Sequence, residues 1–364
     1  MLDRRNLMIG GAAALVAGAG AVWSGMRQMG SMSDYEAGMA SLRAPLPATP
    51  GPRDLVRFAT LAANSHNTQA WAFRAIGNRI DILPDLTRAT PVVDPDNHHL
   101  FISLGCAAEN LSVAARSRGM AGEVSFDPVT STLTFVHTAG SATDTALSDA
   151  IPLRQSTRGL YDGSTLTAAE IGLLDAAARD PGVELILITD RGQMGQLADL
   201  IAAANTAQIE DPAFMTELKS WMRFNPRRAL STGDGLFSAT SGNPNLPEWL
   251  GPTMVNWMFT AESDNKKTAA KITSSAGLAV FVGAKEDPAH WVKTGRACQR
   301  FALQATALGL KHAFLNQPVE VAGYRPELAA LIGVTGQRPD LVMRFGRGDA
   351  MPFSARRSVD AVMA

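Results

Sequence analysis

Arg154-Gln155-Ser156-Thr157-Arg158 sets two guanidinium groups on either side of a hydroxyl at even spacing. Side chains alternate along an extended segment, so Arg154, Ser156 and Arg158 share one side. Two rigid guanidinium forks around a hydroxyl suit a phosphate monoester and an electron-rich ring edge. The competing reading is solvated surface charge beside a helix N-cap serine or threonine; the symmetric flanking favours the phosphate role. Asn64-Ser65-His66-Asn67-Thr68-Gln69-Ala70-Trp71 offers a second polar run between a helical pattern and a strand, and Ser354-Ala355-Arg356-Arg357-Ser358-Val359 adds a basic pair near the C-terminus. Asp94, Asp96, His98 and His99 form a further polar cluster, which reads as a turn and N-cap, so no metal is expected.

The elements that would position these groups alternate helices with short strands. Val56 to Ala63, Leu100 to Arg118, Leu166 to Arg179 and Gly295 to Leu308 are helical in pattern. Trp71 to Arg74 and Arg79 to Leu83 read as a hairpin around Gly77-Asn78, and Val124 to Phe126 with Thr132 to His137 as a second. Val183 to Thr189, Leu278 to Val282 and Leu341 to Phe345 are further strands. Hairpins mixed with helices predict an α+β fold. One echo runs through the chain: at an offset of 190 residues Gly105/Gly295, Ala107/Ala297, Ala115/Ala305 and Gly119/Gly309 coincide. Small residues let helices approach closely, so the echo predicts a central packed helix in each of two halves.

The motifs carry a resemblance. Ser65-x-Asn67-x-Gln69 with Trp71 resembles the Pro-Ser-x-x-Asn-x-Gln-Pro-Trp segment of the nitroreductase family, with Asn64 and Ala70 in place of the two prolines. Arg154-x-Ser156-x-Arg158 matches that family's opening motif, and Arg356-Arg357 its closing basic segment. Pro318-Val319-Glu320 stands where the family's loop presents backbone donors to flavin N5. Nitroreductases are homodimers with FMN at the interface. Here the first half holds one set of motifs and the second half the complementary set, the arrangement expected of a fused dimer with one remaining site. The resemblance spans residues 52–362 and is nearest to the mycobacterial Acg-type flavoproteins.

The resemblance implies a nitroreductase-like α+β fold whose two homologous halves, 51–150 and 151–364, form an intramolecular pseudo-dimer. It implies FMN held by Arg154, Ser156 and Arg357 or Arg356 at the phosphate. Arg158 would sit near the ring, and Ser65, Asn67 and Gln69 would reach it from the other half. The implied activity is an FMN-dependent oxidoreductase taking reducing equivalents from NAD(P)H or a quinone and passing them to a small electron-poor acceptor. The alternative is a flavin storage or sequestration protein. The Gly-, Pro- and aromatic-rich stretch 221–257 reads as a lid over the flavin. With both halves in one chain, a monomer is expected.

Composition narrows the partners. A net charge of -1 leaves no basic excess to neutralise nucleic-acid phosphates. Cys106 and Cys298 form no CxxC pair and read as buried hydrophobes. Arg4-Arg5 ahead of the Gly/Ala-rich run Ile9 to Trp23 resembles a twin-arginine export signal over residues 1–21, with Ala19-Gly20-Ala21 as a cleavage site. That places the protein in the periplasm, a retained membrane anchor being the other reading. Residues 22–50 read as a linker.

Overall fold

The computed structural model describes residues 28–364; the Arg4-Arg5 signal and residues 22–27 of the linker lie outside the described residues. Two four-stranded sheets carry the fold. The first comprises β1 (Trp71–Ile76), β2 (Arg79–Pro84), β3 (Met120–Asp127) and β4 (Thr132–Ala139). The second comprises β5 (Val183–Ile188), β6 (Gly277–Gly283), β7 (Lys311–Phe314) and β8 (Pro339–Gly346). Both are antiparallel, and their spatial orders, β1-β2-β4-β3 and β5-β6-β8-β7, are the same topology used twice. The fold is α+β, in two like halves that form an internal pseudo-dimer.

Five helices position the site: α1 (Met32–Leu42), α2 (Pro52–Thr60), α3 (His98–Arg116), α4 (Arg191–Glu210) and α5 (Pro288–Ala307). In each half a long helix separates the second strand from the third: α3 in the first, α5 in the second. Of α3, only Arg116 escapes burial, so this helix lacks the one-sided stripe of a surface helix. The two helices cross where the echo puts its glycines. A methyl on Gly105 would overlap the Val292 carbonyl, and one on Gly295 would overlap that of Ile102. The 190-residue offset maps each contact onto the other, as a two-fold interface requires. Gly119 and Gly309 end the pair with φ of +73° or just below, a left-handed C-cap that suits glycine.

The linker reading of residues 22–50 is corrected from residue 32 onward. Ser31 Oγ accepts from the Asp34 amide at 3.0 Å and starts α1. Tyr35 and Met39, one turn apart, bury against Ala229, Phe237 and Ala355. The Gly, Ser, Met and Pro around this short stripe hide it in the sequence. The C-terminal tail crosses to the first half: Met363 bridges Phe73 in parallel, and the Ala364 amide donates to the Phe73 carbonyl at 2.8 Å. The 221–257 segment forms a two-residue parallel pair, Met222–Arg223 with Leu236–Phe237, and the helices Pro226–Thr232 and Gly251–Met258. Arg223 clamps Asp234 at 2.7 Å, and Arg88 pairs with the other oxygen of the same carboxylate. None of the described helices is long and apolar enough to cross a membrane.

Candidate functional site

Two joined cavities lie where the halves meet. The larger holds about 320 Å³, within the range of small-molecule sites. Its walls are Ile102, Ser103 and Cys106 of α3 on one side and Phe314, Asn316 and Leu341 of the second half on the other. Gln208 of α4 with Phe214 and Leu218 of the helix Pro212–Trp221 lie across it. The smaller cavity, about 30 Å³, is lined by Arg43, Arg154, Arg158 and Arg356 together with Asn67 and Ser156, and by no carboxylate. Ala63, Asn64 and Arg158 line both, so the two are continuous.

The four guanidiniums are not equivalent. Arg356 spends its donors on the protein: Nε on the Thr60 carbonyl at 2.5 Å, Nη1 on Asn67 Oδ1 at 2.9 Å and the Ala355 carbonyl at 2.8 Å, and Nη2 on Ala62 and Leu61. It therefore closes the C-terminal end of α2, whose last carbonyls lack helical partners, and adds positive field without a free donor. Arg154 gives Nη2 to the Leu61 carbonyl at 2.6 Å, while its buried Nε has no partner. Arg43 also has a buried, unpartnered Nε, with its guanidinium 4.1 Å from the Phe353 ring centre. Arg158 makes no hydrogen bond or ion pair among the described residues. Burial lowers all four, Arg43 to about 9 and Arg154 to about 10, and mutual repulsion adds to it. Arg43, Arg154 and Arg158 thus keep unspent donors in a pocket that no carboxylate lines.

The segment from Asn64 to Trp71 has an unusual backbone. His66, Asn67 and Gln69 all have positive φ, at 44°, 53° and 53°, a conformation that costs energy and clusters at functional sites. Ser65 lines the larger cavity. Asn67 lines the smaller one, yet its Nδ2 donates to the Gly235 and Ala355 carbonyls at 3.0 and 3.1 Å. Gln69 is fully buried; Nε2 donates to the Gly233 carbonyl at 2.8 Å, and Oε1 accepts from the Arg357 amide at 2.9 Å. These two amides tie the segment to the 221–257 stretch and to the C-terminal tail. Arg357 lines neither cavity: its guanidinium donates to the Ala361 carbonyl at 2.5 Å and lies 3.8 Å from Asp85. The phosphate role expected of Arg357 thus has no geometry behind it, because Gln69 draws the Arg357 backbone aside.

The Pro318-Val319-Glu320 expectation shifts by two residues. The Val319 and Glu320 amides both donate to the Asn316 carbonyl at 2.8 Å, inside the short helix Gln317–Glu320. Pro318 has no N–H, and Pro318 and Val319 are buried away from the cavity. The free amides are those of Asn316 and Gln317, which have no partner among the described residues and line the cavity. Glu320 enters it through its side chain. Of the 221–257 lid only Leu236 reaches the cavity; its far wall is built mainly from α4 and the helix after it. In the Asp94 cluster, Asp94 accepts from the His99 and Leu100 amides at 3.0 and 2.9 Å, as in a turn and cap, and Asp96 pairs with Arg338; Asp94, His98 and His99 also bring one potential ligand atom each within 4.8 Å of one another. His66 was an unassigned letter within the motif, yet it lines the cavity with a buried, unpartnered Nδ1. Burial holds it neutral, at about 4. The arginine that sequence reading missed altogether is Arg43; the Tyr35/Met39 stripe ahead of it was the available signal.

Two crossing helices and an acid-free arginine pocket opening into a cavity between like halves define a class: an α+β pseudo-dimer with a cleft between its halves. No family model matches the chain. Over 343 residues it is 25% identical to two Mycobacterium tuberculosis proteins, from strains H37Rv and CDC 1551, provisionally named NAD(P)H nitroreductases. The alignment covers 90% of this chain and 94% of each relative. That likeness supports the nitroreductase superfamily. Among solved structures, a nitroreductase with bound FMN from Desulfitobacterium hafniense is similar at a TM-score of 0.39 and 14% identity, covering 60% of this chain and 97% of that one. An FMN-dependent nitroreductase from Mycobacterium smegmatis in complex with NADPH is similar at a TM-score of 0.36 and 12% identity, covering 60% and 91%.

Proposed function

We propose that this chain binds one FMN across the two cavities and acts as an FMN-dependent oxidoreductase of nitroreductase type. The observation that carries the reading is the continuity of an acid-free arginine pocket with a cavity walled by both halves. The residues fit the group. Arg43, Arg154 and Arg158 have unspent donors for the phosphate, with Ser156 beside them. The Asn316 and Gln317 amides are free to face the ring, and α3 gives a smooth wall of Ile102, Ser103 and Cys106. FMN, when bound, supplies the redox chemistry; the protein binds it, excludes water and sets its field. Arg158 lines both cavities, and positive charge there favours an anionic reduced ring. The relatives' names favour NAD(P)H as electron donor, with a small electron-poor molecule as acceptor; a quinone is the other donor the reading allows. Purified protein is expected to be yellow, with roughly one FMN per chain, and to run as a monomer in light scattering. Colourless protein that takes up no added FMN would end the reading.

A second reading is flavin storage in an Acg-type protein. It is favoured by the side chains of Phe214, Leu218, Leu236 and Phe259 that close around the larger cavity. Stopped-flow mixing with NADPH separates the two: rapid bleaching of the flavin supports turnover, and an inert flavin supports storage.

We also propose export by the twin-arginine route to the periplasm, a route that carries folded proteins and so suits one that acquires its cofactor first. Arg4→Lys with Arg5→Lys should hold the precursor in the cytoplasm on fractionation; unaffected export would dismiss the signal.

A further inference from the structure

Two carboxyl groups line the larger cavity: Asp264, which accepts from Asn205 Nδ2 at 3.0 Å, and Glu320, which has no Lys or Arg partner among the described residues. Glu320 lines the cavity from the short helix Gln317–Glu320. Its Oε2 accepts from Gln208 Nε2 at 2.7 Å, and Oε1 lies 3.8 Å from His99 Nδ1. The groups facing it come from four other places. α3 gives His99, the loop before α3 gives Asp94, the helix Pro212–Trp221 gives Glu217, and α4 contributes only the neutral Gln208. Two of these neighbours are acids, each already accepting from backbone amides: Asp94 from His99 and Leu100, Glu217 from Val92 and Val93. Burial and His98 lower His99, against Asp94 and Glu320, which raise it. Arg158, the one guanidinium in this cavity's described lining, makes no ion pair with Glu320. Burial without a counter-charge favours the protonated acid, and Glu320 is raised for that reason.

We propose that Glu320 hands the acceptor its proton in this cavity. The inference rests on the FMN reading above. The balance is simple for a quinone acceptor: reduction to the hydroquinone takes two electrons and two protons. FMN, when bound and reduced, would supply both electrons with one proton, as a hydride equivalent. The second proton comes from Glu320, whose O–H bond breaks as an O–H bond forms on the acceptor, leaving a carboxylate that regains its proton from solvent. Gln208 holds the carboxyl in one orientation throughout.

The test uses FMN-loaded, reduced wild-type and Glu320→Gln protein, mixed in a stopped flow with two acceptors. Benzoquinone needs protons, whereas ferricyanide takes electrons alone. Reoxidation by benzoquinone should slow roughly 10²-fold in the variant, while reoxidation by ferricyanide keeps its rate. The wild-type benzoquinone rate should fall as pH rises through the Glu320 titration, because the acid form is the donor; the variant should be flat over that range. Equal slowing with both acceptors, or no slowing with benzoquinone, overturns the proposal. A readout free of flavin accompanies it: the infrared C=O band of a protonated carboxyl in apoprotein at neutral pH, lost in Glu320→Gln. A wild-type spectrum without that band overturns the proposal even where FMN binds, and its presence in protein that binds no FMN would sink the flavin reading while leaving the proton on Glu320.

Discussion

Arg154→Gln/Arg158→Ala protein should purify colourless, with FMN affinity lowered by roughly 10²- to 10⁴-fold. The magnitude follows from losing charge-assisted hydrogen bonds at two guanidiniums, about 1.5–3 kcal/mol each. The stability of the apoprotein gives the prediction its sign. Arg158 has no partner to lose among the described residues and sits among like charges, with Arg344 lowering it further. Removing Arg158 alone should therefore leave the flavin-free fold as stable as before, or more so, while weakening FMN. Removing a surface arginine would leave both stability and FMN affinity unchanged, and removing a structural one would lower both. Arg357→Ala is the contrast, since Arg357 lines neither cavity: it should keep its FMN. Retention of equimolar flavin by the double variant, measured by absorbance after gel filtration, would remove the phosphate assignment.

Gly105→Ala and Gly295→Ala should each destabilise the protein by about 3 kcal/mol or more, at the upper end of what overpacking costs. In each case the added methyl meets a carbonyl of the facing helix backbone, Val292 or Ile102, and not a side chain that can rotate away. Relief requires α3 and α5 to separate. Separation would disturb buried polar contacts that depend on the close approach, among them Cys106 Sγ to the Gly295 carbonyl at 3.2 Å and Gln299 Nε2 to Asn110 Oδ1 at 2.7 Å. It would also open the wall that Ile102 and Cys106 give the cavity. Because one separation relieves both clashes, the double variant should cost less than the two single losses combined. Urea midpoints followed by tryptophan fluorescence test this. A wild-type midpoint in either single variant would show that the crossing is looser than described.

Much of the frame was legible because it depends on local rules. Hairpins announce themselves by alternation and by Gly77-Asn78. Gly119 and Gly309 mark helix ends, since a left-handed cap favours glycine wherever the helix sits. The echo of Gly105 and Gly295 was visible because close packing of two backbones admits little else. The cationic segment at Arg154 to Arg158 was equally plain. What stayed hidden depends on partners far away in the chain. Asn67 and Gln69 look like ligand contacts, yet their amides are consumed by carbonyls of Gly233, Gly235 and Ala355, more than 160 residues on. Arg356 and Arg357 are adjacent and alike in sequence; one turns into the α2 carbonyls and the other turns out. Arg43 lies in a stretch that reads as linker until Tyr35 and Met39 find Ala229 and Phe237.

Residue type and local spacing, then, were enough to establish an α+β chain, two similar halves and a pair of close-packed central helices, and to pick out an arginine run that lines the smaller cavity. Each of these is set by steric rules or charge that act within a few residues. Which donors remain unspent was decided by the tertiary structure alone. A guanidinium or an amide binds a ligand only with hydrogen bonds the fold has not already claimed, and those claims are made by carbonyls brought in from distant segments.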